Sequence, residues 1–430
     1  MVLFVTHELR REWAFFLPAD HFWGFFVAIY DHFSLATDRR TDQLSFVRLW
    51  GVRAMLRKAV SSLRIVMSDP KRKSVSVMFS EILQLALRDR DLPVHYYSAL
   101  LYRDDFPGDI FAFVGFRNIN RAYDCCNRVL DTELWTSLLD NKLIFDRFFG
   151  LKGIPVPEAL GYCAQGLFVV PGNEVLLATE QGVVDGLRLV LEQARGGSVF
   201  AKPIDGGQGR GCFLLDPSNL QKGLSSPSVI NTIRKGYIFQ KAIEQHPVMA
   251  SLHPQSVNTV RIDTWRSSSE GKASAMSALV RMGSKGSRID NAAAGGCFVG
   301  VNLTDGRMKS KGFVEPQHGA SILDRHPDTG ILFEGFLIPF FREAVQLAED
   351  AAELIPLTAV GWDIAIGTNG PILIEGNPGP GYDVRMSEMA YGGYYDNPVF
   401  LQFARRHAPR LYRIAAKKRN NVDKGSCGSR

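Results

Sequence analysis

The chain has 430 residues, 46% hydrophobic and 22% charged, with mean hydropathy near zero. This is the composition of a globular protein, too long for one compact core, so two or three lobes are expected. The net charge of +6 is unevenly placed: nine Lys/Arg against Asp423 alone follow from Ala404, so the body is near neutral and only the tail is basic. A basic tail can meet nucleic acid or anionic lipid, but it is more often a solvated, frayed terminus, and no specific nucleic-acid partner is expected.

The cysteines Cys125, Cys126, Cys163, Cys212, Cys297 and Cys427 lack CxxC or Cys/His spacing. They form neither a zinc site nor a disulfide framework, and with no cleavable leader this points to a reducing, cytoplasmic setting. The aromatic stretch Trp13–Tyr30 is broken by Pro18, Asp20 and His21 and falls short of a membrane span. It reads as a face packed on the protein's own core, with a bilayer-surface helix as the alternative.

Residues 1–135 read as a helical lobe, with an apolar stripe at helical spacing from Val75 to Leu87. The texture then changes. Asp140-Asn141-Lys142 opens an amphipathic helix that stops at Gly153, before the extended Ile154-Pro155-Val156-Pro157. Taken alone, Lys142 is an ordinary exposed lysine. Ser198–Pro203 is a short strand carrying Lys202, followed by the glycine-rich turn Asp205-Gly206-Gly207-Gln208-Gly209-Arg210-Gly211 and a second strand from Cys212. Such a turn lets backbone N–H groups approach phosphate oxygens, with Lys202 as the point charge at its root.

Gly236–Ile243 is a buried strand running into the polar Glu244-Gln245-His246-Pro247, where it can present peptide groups to an adenine edge. In Ser256–Arg266, alternation puts Asn258, Val260, Ile262 and Thr264 on one face and Thr259, Arg261, Asp263 and Trp265 on the other. Lys272–Met282 is its antiparallel partner and bears Arg281. An arginine on a sheet face needs an anion, either a ligand or a structural acid. Asp290 and Asn291 begin a small-residue loop, through Gly295-Gly296, of the kind that folds over a ligand. A hairpin around Asp305-Gly306, a flexible insertion from Pro316 to Gly330 and an amphipathic helix from Pro339 to Leu354 complete this part.

Gly361–Gly381 reads as a β-hairpin turning at Thr368-Asn369-Gly370. Glu375 and Asn377 share a face, and a three-residue turn sets Asp363 directly across from Glu375. A two-residue turn puts Gly376 there instead, and the sequence does not choose. Two carboxylates and an amide oxygen on one face form an all-oxygen site suited to Mg²⁺ and nucleotide phosphates.

DNKLIFDRF, FAKPIDGGQGRG, YIFQKAIEQHP, SVNTVRIDT, RIDNAAAGG and GWDIAI…GPILIEGNPGPG, in that order from about Asp140 to Met386, resemble the ATP-grasp superfamily, most closely its sugar-transfer-associated branch, often linked to polysaccharide synthesis. The resemblance implies an α+β architecture, two subdomains clasping ATP (136–235 and 236–403) after the helical lobe, with 404–430 a basic, flexible tail. It implies that Lys142 and Lys202 contact ATP phosphates, that Asp205, Gly206, Gly207, Gly209 and Gly211 close over them, and that Gln240, Lys241 and Ile243 meet adenine. Gln240 stands where relatives commonly carry Glu, and Glu244 is the candidate for the ribose. Asp363, Glu375 and Asn377 would hold Mg²⁺, usually two ions; Arg281 would stabilise the transferring phosphoryl group, and Arg261, Asn258, Asp290 and Asn291 would contact phosphate or substrate. The implied reaction joins a small-molecule carboxylate to an amine through an acyl phosphate. The alternatives are a kinase acting on a hydroxyl and a nucleotide-binding module without turnover. The identity of the substrates and the oligomeric state do not follow from the sequence.

Overall fold

The computed structural model describes residues 64–430 apart from 92, 116–117, 120–132, 208, 221–225, 267–270, 287–294, 380–382 and 427–430. The aromatic stretch Trp13–Tyr30 and the loop residues Asp290 and Asn291 therefore lie outside the described residues. Residues 64–430 form one compact unit, so the body begins well before the boundary expected near residue 135. Helix α1 (Val75–Asp89) is capped by the Ser74 side chain, which accepts from Val77 N–H. The segment after α1 is tied into the later chain: the Arg103 guanidinium reaches the Ala320 carbonyl at 2.5 Å, and Val114 N–H donates to Glu388 at 2.7 Å.

Helices α2 (Glu133–Asp140) and α3 (Lys142–Leu151) lead into a six-stranded antiparallel sheet. Its strands are β1 (Ala159–Ala164), β2 (Leu167–Val169), β3 (Leu176–Leu177), β4 (Val199–Pro203), β5 (Phe213–Leu215) and β6 (Tyr237–Lys241), in the order β3-β2-β1-β6-β4-β5. Between them α4 (Glu180–Gln193) and α5 (Pro227–Ile233) cover one face, packing Val183, Leu187, Val190, Ile230 and Ile233 on Phe168 and Phe239. The glycine-rich turn joins β4 to β5, as the sequence suggests.

After α6 (Pro247–Leu252), a seven-stranded antiparallel sheet runs β11-β10-β9-β8-β7-β12-β13. Its members are β7 (Thr259–Arg266), β8 (Ala273–Met282), β9 (Cys297–Val301), β10 (Met308–Val314), β11 (Ile322–Leu323), β12 (Ala359–Gly367) and β13 (Gly370–Pro378). Val260, Ile262 and Trp362 face a core shared with α3 and α7 (Phe341–Glu353). The opposite face, at the Trp265 end, is covered by α8 (Asp383–Tyr391), α9 (Pro398–His407) and the start of α10 (Pro409–Ser426).

Two expectations are corrected here. The tail from 404 is not simply a flexible terminus: Ala404, Leu411 and Ala415 are buried in this core, and Lys418 pairs with Asp109 and Asp396. Burial of Ala404 from α9 and of Leu411 and Ala415 from one face of α10 outweighs the repulsion among solvated cations. Nor is Pro316–Gly330 a flexible insertion. It adds β11 to β10 and holds a fully buried His326, whose Nε2 lies 2.8 Å from the Gly283 carbonyl. Among the described residues no helix is long and apolar enough to cross a membrane.

Candidate active site

The hairpin β12–β13 turns on two residues, Thr368 and Asn369, with Gly367 paired to Gly370. That turn alone would set Ile374 opposite Asp363. The register shifts by one residue between Asp363 and Ile364, leaving Ile374 as a bulge, and Asp363 pairs with Glu375. The pairing anticipated from a three-residue turn is thus reached by a shorter turn plus a bulge. Glu375 and Asn377 flank Gly376, where a Cβ would come within 2.8 Å of the Trp362 ring. Trp362 occupies the far face, its Nε1 donating to Thr264 Oγ1 at 2.9 Å.

On the near face Asp363 lies between β7 and β13, paired across to Arg261 on one side and Glu375 on the other. Arg261 donates to both its oxygens, Nε to Oδ1 at 2.5 Å and Nη2 to Oδ2 at 2.9 Å. Arg281 Nη2 is 2.9 Å from Oδ1, and Asn377 Nδ2 is 3.4 Å from Oδ2. Arg281 also donates from Nε and Nη2 to Thr259 Oγ1, at 3.1 and 2.9 Å. Burial pushes the Asp363 carboxyl up, but the two guanidiniums outweigh it and hold the group below the usual carboxylate range. Gly361 makes room for this: a Cβ there would lie 2.9 Å from Arg261 Nη1 and 3.0 Å from Asp263 Oδ1.

The lysines arrive from the other sheet. The Lys142 backbone N–H donates to the Ile204 carbonyl at 2.9 Å, docking the start of α3 on the end of β4. Its ammonium bonds the Gly206 carbonyl and lies 3.2 Å from Glu375 Oε1. Asn141 caps the helix and reaches Asp205 at 3.4 Å. Lys202 is buried nearby: burial lowers its ammonium pKa, Glu375 opposes the shift and Lys142 adds to it. In the glycine-rich turn Gly206, Gly209 and Gly211 all have positive φ, which side chains resist. Gly207 has open space around it, and Gln208 lies outside the described residues.

The structure therefore joins Lys142, Lys202, Gly206, Arg261, Arg281, Asp363, Glu375 and Asn377. Two expected contacts part from the group. Gln240 is not presented to a ligand: it is buried, and its Nε2 donates to Asp146 Oδ1 at 2.7 Å. Asn258 is fully buried, and its Nδ2 donates to the carbonyls of Met249 and His253, each at 2.9 Å. The reason lies in strand alternation, which puts Asn258 on the core side with Val260 and Ile262. Lys241, Ile243 and Glu244 border a cavity of about 630 Å³ with the hairpin turn and α7, and none of the lysines or carboxylates just described lines it. Sequence reading missed Asp146. It lies one helical turn after Lys142, and both are buried on α3, so the i, i+4 spacing of two charged residues was the available signal.

Two antiparallel sheets bringing lysines to a carboxylate hairpin define an ATP-grasp protein. The sugar-transfer-associated ATP-grasp family matches residues 127–394, and the chain belongs to that family. Among solved structures it is similar to N5-carboxyaminoimidazole ribonucleotide synthetase of Thermotoga maritima (12% identity, 67% of this chain and 55% of that one, TM-score 0.34). It is similar also to D-alanyl-alanine synthetase A of Vibrio cholerae (12%, 66% and 66%, 0.35) and to the D-alanine-D-alanine ligase of Coxiella burnetii (10%, 68% and 63%, 0.35). The chain spans little more than half the length of the first of these. No curated protein matches it in sequence. The assignment rests on the family match.

Proposed function

We propose that the protein is an ATP- and Mg²⁺-dependent ligase that activates a small-molecule carboxylate as an acyl phosphate and passes the acyl group to an amine. The observation that carries this reading is the convergence of four cations on one carboxylate hairpin. Lys142, Lys202, Arg261 and Arg281 gather about Asp363 and Glu375, each already ion-paired, with Asp140 and Asp205 beside Lys142. Cations drawn from both sheets to one place suit a polyphosphate whose charge must be held during phosphoryl transfer. A carboxylate nucleophile arrives ionised and needs no base. Asp363, clamped by two arginines and held below its ordinary pKa, is a poor base for a hydroxyl.

The donor set fits Mg²⁺ in part. Glu375 and the remaining oxygen of Asn377 suit a cation shared with phosphates, whereas Asp363 would reach an ion only by releasing a guanidinium. When bound, Mg²⁺ would neutralise the phosphate oxygens. Lys142 and the glycine-rich turn would hold the phosphates, Arg281 would stabilise the transferring group, and Lys241 to Glu244 would form the hinge beside the base and ribose. The family's description ties its members to sugar transfer, and we place the substrates among precursors of cell-surface polysaccharide or natural products, in the cytoplasm.

The test is incubation with Mg²⁺, ATP and panels of carboxylates and amines, with hydroxylamine added to trap acyl phosphate. Hydroxamate with ADP release, absent in Glu375→Gln, is the expected result. A stable phosphoester of a hydroxyl substrate, or no ADP release with any panel member, would overturn the reading.

A further inference from the structure

The segment after β11 carries His326 and Asp328, and His253 follows directly on α6. One donor atom from each of these three lies within 4.8 Å of the other two. Among the described residues no other three His, Cys, Asp or Glu side chains converge in this way. His253 and His326 are buried, at 2% and 0% exposure, whereas Asp328 is open to solvent. The surroundings orient the donors. His326 Nε2 lies 2.8 Å from the Gly283 carbonyl, which can only accept, so Nε2 carries the proton and the lone pair is left on Nδ1. Nδ1 is 3.3 Å from the N–H groups of Asp328 and Thr329, longer than the usual hydrogen bond. One edge of the His253 ring packs on Gly283, where a Cβ would come within 2.8 Å of Cδ2 and 2.9 Å of Nε2. The other edge faces the acid, with Nδ1 at 3.7 Å from Asp328 Oδ2. That oxygen also accepts the Lys285 N–H at 2.7 Å. A ring N–H spent on a backbone carbonyl, and a carboxylate held by a backbone N–H, are the outer contacts that fix metal ligands in place.

We propose that His253, His326 and Asp328 bind one Zn²⁺ ion, with water completing its shell on the open Asp328 side. Donors at about 2.0–2.2 Å around a tetrahedral zinc stand roughly 3.4 Å apart. The 3.7 Å pair of His253 and Asp328 is therefore nearly in place, and the group as a whole closes on the ion by about 1 Å. Two imidazoles and one carboxylate favour zinc over magnesium, which takes oxygen ligands. The ion's role here is structural. It ties the end of α6 and the turn at 326–328 to residues 283–285, which follow directly on β8, the strand that bears Arg281. The site shares no residue with the nucleotide cleft and stands whether or not the ligase reading does.

The full-length protein is stripped with EDTA, dialysed and titrated with Zn²⁺ against a chromophoric chelator, and bound metal is counted by mass spectrometry. One Zn²⁺ per chain is expected. Zn²⁺, but not Mg²⁺, should raise the melting temperature of the stripped protein. Asp328→Ala and His326→Gln should each weaken Zn²⁺ binding by about a hundredfold or more, since loss of an outer contact alone costs 10–100-fold. Glu375→Gln, in the nucleotide cleft, should leave Zn²⁺ affinity within twofold, which separates the two sites. His326 is fully buried, so thermal unfolding checks that its variant folds, and if it does not, exposed Asp328→Ala decides. Absence of bound Zn²⁺, an equal response to Mg²⁺, or unchanged Zn²⁺ affinity in a folded variant would overturn the proposal.

Discussion

Lys142 Nζ lies 3.2 Å from Glu375 Oε1, so the helix that opens the ATP-grasp region touches the hairpin that closes it. Residues 233 positions apart are brought together because α3 docks on the end of β4 through the Lys142 N–H and Ile204 carbonyl. Substituting Lys142→Met removes the charge while keeping the stem. Nucleotide affinity, measured by calorimetry with Mg²⁺ and ADP, should fall roughly ten- to hundredfold, the range of about 1.5–3 kcal/mol for a hydrogen bond to a charged group. Unchanged affinity would remove Lys142 from the phosphate site.

Asp363→Asn leaves Arg261 and Arg281 buried without their counter-charge. Loss of one partner from a buried ion pair costs about 3–5 kcal/mol, visible as a lower urea midpoint. Because the folded-state pKa is depressed, the stabilisation from ionised Asp363 is present above its ordinary value of 3.8 and is lost as pH falls through the lower folded value. The wild-type loss attributable to this group therefore belongs to the acid limb, and the difference between wild type and variant should be flat from pH 5 to 8.

Gln240→Glu sets a carboxylate against buried Asp146, now 2.7 Å from the Gln240 amide. One acid must then take up a proton on folding. The variant should be about 1–3 kcal/mol less stable at pH 8 and recover as pH falls, followed by urea unfolding. A variant as stable as wild type at pH 8 would show that residue 240 does face the open cleft.

Glu388 is fully buried, and burial raises its carboxyl to about 7 from an ordinary 4.5 despite the backbone N–H groups it accepts from. A raised folded pKa means that folding takes up a proton. Its stabilisation is complete below 4.5 and is lost as pH rises through about 7. Melting temperature should decline between pH 5 and 8, and Glu388→Gln should flatten that slope.

Leu411→Ala tests whether the basic tail belongs to the body. Leu411 is buried against the core around Trp265 and Phe403, and its truncation should cost about 2–5 kcal/mol in urea unfolding. A solvated tail would show a change near zero.

The strands, the glycine-rich turn and the faces of β7 were legible in the sequence, because period-two alternation and the glycines act over a few residues. Alternation even separated Asn258 from Arg261, although the family resemblance then assigned both to the ligand. The residues of the cleft were visible one motif at a time. What local pattern does not carry is the partner of each charge. That Arg261 clamps Asp363, and that Gln240 is spent on Asp146, depended on which strands and helices became neighbours across long stretches of chain. The bulge at Ile374 has the same origin: sheet packing on both sides of β12 demanded a register that the turn alone would have missed, and only the assembled sheet could impose it.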